Sequence, residues 1–273
     1  MQVYPDLASP RIMGILNVTP DSFSDGGRYN SLERALVHAR AMIAAGADII
    51  DIGGESTRPT AQRIPVQEEI DRVVPVVAAL RKESDSTISV DTSSPEVMRE
   101  AVAAGASIIN DVRALSRPGA LEVAAEFQVP VVLMHSLLDQ QEPGVVPVYD
   151  DIVAAIGDYF LERVRLCELA GIKRENIILD PGFGGGMFGK TPALNYELVK
   201  RFDEFKKFGF PLLAGVSRKG FIGTVLDNTA DERMVASVAL AVLLAQVGAQ
   251  ILRVHDVRET ADALAMLRAV ADA

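Results

Sequence analysis

A short sequence pattern recurs along the chain and constrains its fold more than any other feature. Residues 44–51 (AAGADIID) resemble residues 103–110 (AAGASIIN), and residues 247–253 (VGAQILR) are a looser copy. In each copy helical spacing ends at a glycine and an apolar run follows, which is typical of a helix with a left-handed cap before a buried strand. The pattern therefore predicts a chain of repeated helix–strand units.

Eight such units account for nearly the whole chain. The strands are expected at residues 11–19, 48–53, 88–91, 108–112, 130–135, 176–180, 211–217 and 251–255. Helical spacing lies between them, and the main helices are expected at residues 67–82, 119–127, 150–170, 194–208, 229–247 and 259–270. Eight units in 273 residues favour an α/β (β/α)8 TIM barrel, a single domain over residues 1–273. A doubly wound open sheet is the alternative.

Composition excludes several classes of protein. The net charge of −10 argues against a general nucleic-acid binder. Cys167 is the only cysteine, so no disulfide can form within the chain, which favours the cytoplasm. No apolar run reaches membrane-spanning length and the N-terminus lacks a signal pattern, so no membrane partner is expected.

Each predicted strand delivers polar residues to the same end of the barrel, where barrel enzymes hold their active sites. These residues are Asn17, Thr57, Arg58, Asp91, Asn110, His135, Asp180, Ser217, Arg218, Lys219, Arg253 and His255. Polar groups without partners are costly to bury, so this set indicates a functional pocket.

The residue types suggest two parts of that pocket. Asp91, Asn110 and Asp180 suit a flat heterocycle with several N–H donors, although any one of them alone could simply end a strand. Arg253 and His255 alternate on one strand and, with residues 217–219, predict a basic cluster where many barrels bind phosphate. His135 has no predicted role.

Residues 184–191 (GGGMFGKT) match the phosphate-binding P-loop pattern, so a nucleotide hydrolase is an alternative function. That alternative leaves the basic cluster and the acids unexplained. The loop at residues 20–27 suggests a lid over the pocket. No cysteine or histidine set has zinc spacing, and Mg²⁺ beside a bound diphosphate fits better.

Several segments together resemble the signature of the dihydropteroate synthases. They are residues 12–27 (IMGILNVTPDSFSDGG), 53–59 (GGESTRP), 89–92 (SVDT), 109–112 (INDV), 217–219 (SRK) and 253–257 (RVHDV). The resemblance implies an enzyme of folate biosynthesis. Such an enzyme joins 6-hydroxymethyl-7,8-dihydropterin diphosphate to 4-aminobenzoate, with Mg²⁺ as cofactor, and is a homodimer.

The resemblance also implies roles for individual residues. The pterin is expected at Asp91, Asn110, Asp180 and Lys219, and the diphosphate at Asn17, Thr57, Arg58, Arg253 and His255, with Asn17 also at the metal. Ser217, Phe183 and Phe188 are expected at the aminobenzoate, and catalysis is expected to depend on Asp25, Lys219, Arg253 and His255.

The loop after the sixth strand departs from the family pattern, which is Asp-Pro-Gly-Phe-Gly-Phe-Gly-Lys. Residues 185–187 resemble an insertion that creates the P-loop match and displaces the second phenylalanine to Phe188. An altered response to sulfonamides is therefore expected. The remaining rivals are a pterin-binding methyltransferase domain that uses methyltetrahydrofolate and a non-catalytic pterin-binding protein.

Overall fold

Eight parallel strands form the centre of the protein, and helices surround them. The computed structural model describes residues 10–19, 28–55, 64–137, 148–185 and 188–273. The strands are β1 (Arg11–Asn17), β2 (Ile49–Gly53), β3 (Thr87–Asp91), β4 (Ile108–Asp111), β5 (Val131–Met134), β6 (Ile177–Asp180), β7 (Leu213–Ala214) and β8 (Ile251–Val254). Neighbours are parallel in the order β6-β5-β4-β3-β2-β1-β8-β7, and a parallel bridge between Leu179 and Leu212 joins β6 to the chain before β7. The predicted TIM barrel is confirmed.

Helices follow the strands within those ranges. They are α1 (Arg28–Ala44), α2 (Val66–Glu83), α3 (Pro95–Ala103), α4 (Ala120–Phe127), α5 (Ile152–Leu169), α6 (Pro192–Lys200), α7 (Gly220–Leu226), α8 (Met234–Val247) and α9 (Val257–Ala271). Short 3₁₀ helices span Arg174–Asn176, Phe202–Phe208 and Asp231–Arg233. None of the helices in the described part of the chain combines the length and apolarity needed to cross a bilayer.

The repeated glycines end helices as the sequence pattern predicts. Gly46, Gly105 and Gly248 have φ values of 102°, 118° and 115°, in the region where a side chain is strained. In each case the strand that follows is buried. The pattern therefore sets the turn from helix to strand on the end of the barrel opposite the pocket.

Several helix bounds differ from the sequence prediction. Residues 194–208 form α6 and a separate 3₁₀ helix, and α8 begins at Met234 rather than near residue 229. Glu232 accepts hydrogen bonds from the backbone and hydroxyl of Thr229, which holds a turn there instead of starting the helix. Helix α7 was not predicted, and α2 continues through Pro75, whose ring lies on the exposed side.

Apolar side chains inside the barrel form a closed layer below the strand ends. This layer, called the floor, consists of Met13, Ile49, Ile108, Val132, Ile178, Leu213 and Ile251. A second and larger core lies between the strands and the helices and contains the buried rings of Phe160, Phe202 and Phe205. The floor fills this part of the barrel interior with apolar side chains, so a polar ligand is expected to bind above it, at the end where the strands finish.

Candidate active site

Polar side chains lie directly above the floor. Asp51, Asn110, Asp180 and Arg253 each follow a floor residue by two positions on the same strand. Alternate residues of a strand share a face, so these four side chains enter the barrel interior. Asp91 pairs in register with Asn110 and joins them. We call these five residues the polar layer.

Arg253 connects the acids of the polar layer. Its Nε donates to Oδ2 of Asp51 and its Nη2 donates to Oδ2 of Asp91, both at 2.6 Å. The Asn110 amide donates to the same Asp51 oxygen at 3.0 Å. Burial opposes the charge of Arg253, but the carboxylates of Asp51 and Asp91 outweigh it and raise the pKa of the guanidinium. Strands β2 and β3 are thus linked to β8 through the Arg253 cation, and β4 joins them through the bond from Asn110 to Asp51.

Asp180 and Lys219 are two further charged groups of the pocket, and each affects the pKa of the other. Burial raises the pKa of Asp180 to about 6, while the Gly182 N–H, which donates to Oδ1 at 2.7 Å, and Lys219 oppose the rise. Burial and the charge of Arg253 lower the pKa of Lys219 to about 8. Burial likewise raises the pKa of Asp91. The three shifts have the same first cause, burial of the charged group, and such shifts are typical of functional sites.

The loops after β7 and β8 differ from the predicted basic cluster. Loss of water around the ring and the charge of Arg253 lower the pKa of His255 to about 4, so the imidazole is neutral at pH 7. Its Nδ1 lies 3.2 Å from Oγ of Ser217, which also accepts the backbone N–H of His255 at 3.1 Å. Arg218 pairs with Asp256 and Asp231. Arg218 thus keeps its charge but is paired within the protein, and the cations that face the pocket are Lys219 and Arg253.

The two predicted aromatic residues have different surroundings. Phe188 packs with Val112 and Met134, and the Lys219 ammonium lies 4.6 Å from the centre of its ring. Phe183 is 1% exposed and stacks on Phe202 in the core between barrel and helices. Phe188 is therefore the aromatic side chain that borders the pocket, and Phe183 supports the loop from behind.

The P-loop match does not form a phosphate cradle around Lys190. This lysine is 3% exposed, and its ammonium contacts His135 and the carbonyl oxygen of Phe188. The hydroxyl of Thr191 accepts the backbone N–H of Leu194 as the cap of α6. Both side chains that would bind nucleotide and metal in a P-loop are used by the protein itself.

Some predicted site residues are placed only in part. Asn17 ends β1 and is exposed at the pocket end of the barrel, between the ends of β2 and β8. Asp25, Thr57 and Arg58 lie outside the described residues, as do two of the three inserted residues, 186 and 187.

Asp51 is a site residue that the sequence analysis missed. It is fully buried, and its Oδ1 has no hydrogen-bond partner among the described atoms. A signal for it exists in the repeated pattern, where Asp51 occupies the position of Asn110. An acid in the middle of an apolar strand, at the offset of a recognised site residue, would have identified it.

Comparisons with known proteins agree with this geometry. The sequence profile of the family described as "Pterin binding enzyme" matches residues 13–255. The dihydropteroate synthase of Escherichia coli (strain K12) is 53% identical over 98% of this chain and 94% of its own length.

Two solved structures have the same fold. The Yersinia pestis dihydropteroate synthase, in complex with a sulfonamide drug, is 48% identical, with a TM-score of 0.90 over 98% of this chain and 97% of that chain. The Xanthomonas albilineans enzyme, in complex with 7,8-dihydropteroate, is 46% identical, with a TM-score of 0.88 over 98% of this chain and 96% of that chain. With its closed barrel and its polar layer, the chain belongs to the dihydropteroate synthases of the pterin-binding enzyme family.

Proposed function

We propose that this protein condenses 6-hydroxymethyl-7,8-dihydropterin diphosphate with 4-aminobenzoate to give 7,8-dihydropteroate and pyrophosphate. The observation that carries the proposal is the polar layer, whose acids are connected by Arg253 and which lies directly above the apolar floor of the barrel. The product named for the X. albilineans relative, 7,8-dihydropteroate, supports the same reaction here. The methyltransferase alternative is not favoured, because the matched relatives are synthases over nearly their full length.

The pterin ring fits the deep part of the pocket. Asp91, Asn110 and Asp180 offer carboxylate and amide groups to the N–H donors of a flat heterocycle, and Lys219 offers a cation to its acceptors. A pterin with three or more N–H donors satisfies the carboxylates better than water does in so buried a place. Asp51 acts on the pterin site indirectly, because it holds both Asn110 and Arg253.

The diphosphate fits the mouth of the pocket. Arg253 and Lys219 supply positive charge that stabilises the leaving group as its negative charge develops. His255 is neutral, and its Nδ1 faces the Ser217 hydroxyl, which favours the tautomer that carries a proton on Nε2 for donation to a phosphate oxygen. Thr57 and Arg58, which follow β2 in sequence, are proposed to join them at the diphosphate, and Asp25, in the loop at residues 20–27, is proposed to take part in catalysis.

Mg²⁺ fits beside the diphosphate rather than in a cage of side chains. Among the described residues no group of three or more His, Cys, Asp or Glu could hold a metal ion. Asn17 at the open end of β1 would hold the ion through its amide oxygen, together with the bound diphosphate. Bound there, Mg²⁺ supplies charge neutralisation for the diphosphate.

The reaction is proposed to break the bond to the leaving group before the new bond forms. The bond between the pterin methylene and the diphosphate oxygen breaks with its electron pair leaving on oxygen, and the buried carboxylates stabilise the pterin cation. The amine nitrogen of 4-aminobenzoate then attacks the methylene and releases a proton. Phe188 and Ser217 are proposed to border the aminobenzoate.

One assay tests the proposed reaction. Continuous release of pyrophosphate over many turnovers is expected only when pterin diphosphate, 4-aminobenzoate and Mg²⁺ are all present, with 7,8-dihydropteroate formed in equal amount. With all three present, no release, or continuous release without formation of the pteroate, would exclude a synthase. Formation of a pterin cation in crystals soaked without aminobenzoate would support dissociation first, and an intact diphosphate under those conditions would argue against it.

The protein is further proposed to be a cytoplasmic homodimer. Helix α8 is apolar on its outer side, where Val235 and Leu243 are 74% and 50% exposed, and Met266 of the adjacent α9 is 65% exposed. Apolar surface on neighbouring helices is typical of an interface between identical subunits. The single buried Cys167 is consistent with a reducing compartment, which cell fractionation can test.

A further inference from the structure

Lys190 and His135 form a buried pair that the proposed reaction does not use. Lys190 follows the inserted segment, and His135 directly follows β5. Both side chains are 3% exposed. A lysine in so dry a place is costly unless its ammonium is fully bonded.

All three N–H groups of the Lys190 ammonium have an acceptor. The ammonium lies 2.9 Å from Nδ1 of His135, 3.3 Å from the carbonyl oxygen of His135 and 3.1 Å from the carbonyl oxygen of Phe188. Burial and the charge of Lys190 lower the pKa of His135 well below its ordinary value, so the imidazole is neutral and Nδ1 can accept. The contact set fixes the backbone at Phe188 to the end of β5.

Phe188 connects this pair to the pocket. Its ring packs on Met134 and Val112, and the Lys219 ammonium lies 4.6 Å from the ring centre. Gly185 and Gly189 lie close to Phe188 in sequence and restrict the backbone dihedrals less than other residues do. A bond from the buried ammonium to the Phe188 carbonyl therefore constrains the backbone at Phe188 itself.

We infer that Lys190, held by His135, is a positioning residue that fixes the Phe188 ring against the pocket and thereby sets the affinity for 4-aminobenzoate and related arylamines. The inference rests on the proposed function. Lys190 touches no reacting atom of the proposed reaction and acts through Phe188. The lysine of the P-loop-like motif thus holds an aromatic ring in position and does not bind a nucleotide.

Steady-state kinetics test the inference, because a positioning role predicts a change in KM with little change in kcat. Lys190→Leu removes the three donors and is expected to raise the KM for 4-aminobenzoate by about 10-fold while kcat stays within about 3-fold. Lys200→Leu, at an exposed lysine of the next helix, is the matched control and should change neither constant. In a Phe188→Leu background, Lys190→Leu is expected to raise the KM for 4-aminobenzoate by less than a further factor of about 2, because Lys190 acts through the ring that this background lacks.

A second measurement needs no activity. With ¹³C-methyl methionine, the Met134 signal, assigned through Met134→Leu, reports the ring current of Phe188, with which Met134 packs. The signal is expected to move in Lys190→Leu toward its position in Phe188→Leu, and to stay in place in Lys200→Leu. If Lys190→Leu does not fold, His135→Leu removes one of the three acceptors and should move the signal in the same direction by less.

The possible failures are distinguishable. A Met134 signal that remains at the wild-type position in both Lys190→Leu and His135→Leu would overturn the positioning role, whatever the enzyme assay gives. If Lys190→Leu raises the KM for 4-aminobenzoate equally in wild-type and Phe188→Leu protein, Lys190 does not act through the Phe188 ring and the inference is overturned. Wild-type protein that releases no pyrophosphate would reject the proposed function, while the methyl signal would still decide on the position of the ring.

Discussion

At the scale of single residues, the pocket contains charged side chains that are buried, and their charges are poorly stabilised while no ligand is bound. Asp180 is 5% exposed and Asp51 is fully buried, and one oxygen of Asp51 has no hydrogen-bond partner among the described atoms. Groups of this kind reduce the stability of the free protein and contribute affinity when a ligand with matching donors arrives.

Asp180→Asn is therefore expected to stabilise the protein while it weakens pterin binding. Folding raises the pKa of Asp180 from 3.8 to about 6, so keeping this carboxylate ionised opposes folding above pH 6. The amide can still accept the Gly182 N–H. Urea unfolding at pH 7.5 should show a gain of about 1–3 kcal/mol.

The pH dependence of that gain provides the check. As pH falls from 6 to 4, the wild-type carboxyl becomes protonated in the folded state and its penalty disappears. The difference between Asp180→Asn and wild type should therefore shrink toward zero over this range. A difference that is constant with pH would show that the variant acts through packing and not through the charge.

Asp51→Asn is expected to lower kcat/KM by about 10- to 100-fold, a range common for buried partners that orient a functional group. The change removes the negative charge that holds Arg253 Nε and accepts from Asn110. Asp48→Asn is the matched control, because Asp48 lies just before the same strand and pairs with Arg11 at the opposite end of the barrel. Equal losses in the two variants would contradict a specific role for Asp51.

Sequence and structure agree on the site unevenly, and the disagreements have physical causes. The strand-end positions of Asp91, Asn110, Asp180 and Arg253 follow from apolar runs that the sequence displays. The neutral state of His255 and the pairing of Arg218 with Asp256 depend on contacts between residues distant in sequence or on exclusion of water. Residue type alone does not reveal such contacts.

At the scale of elements, the loop after β6 is bound closely to the end of β5. Gly182 has a φ of 70°, and a Cβ atom there would overlap the carbonyl oxygen of His135. Gly171 has a φ of 92° with open space around it. The two glycines thus share a strained backbone region but differ in their surroundings.

This contrast gives a matched pair of variants. Gly171→Ala should lower the unfolding free energy by about 1 kcal/mol, the cost of a left-handed backbone alone. Gly182→Ala should lower it by more than about 2 kcal/mol and should also reduce pterin binding, because the loop has to move. Similar losses in urea unfolding for both variants would contradict the close approach to His135.

The inserted residues 185–187 are expected to alter the response to sulfonamides, which compete for the aminobenzoate site. Phe188 follows the insertion directly and borders the pocket. Deleting residues 185–187 should change the ratio of the sulfonamide inhibition constant to the Michaelis constant for 4-aminobenzoate. An unchanged ratio would mean that the insertion does not affect the choice between the two ligands.

Element bounds were predictable where apolar periodicity is strong and less so where it is interrupted. The run at residues 211–217 predicts a long strand, yet β7 covers only Leu213–Ala214, and the chain then leaves the sheet near Gly215. Helix α7 was missed because Gly220 and Gly223 break its helical pattern. Its position results from tertiary contacts, including that of the Tyr196 hydroxyl with the carbonyl of Phe221.

At the scale of the whole molecule, the apolar outer side of α8 predicts the oligomeric state. Leu243→Glu is expected to convert a dimer into monomers in sedimentation equilibrium, because a charge in an apolar interface loses its water without a partner. Leu161→Glu on α5, where the leucine is 57% exposed against 50% for Leu243, is the control and should leave the dimer intact. A monomeric wild-type protein, or a dimer unaffected by Leu243→Glu, would exclude this surface as the interface.

The two-residue offset between the floor and the polar layer has a consequence for how this barrel can vary. One residue added within a strand, between Ile178 and Asp180 for example, would turn the side chains that follow it from the interior toward the helices. The register of each strand is therefore fixed, whereas the chain beyond the strand ends can gain or lose residues without turning the polar layer out of the barrel interior. Residues 185–187 follow the end of β6 in sequence, so new ligand preferences can arise at this insertion while the strands keep their register.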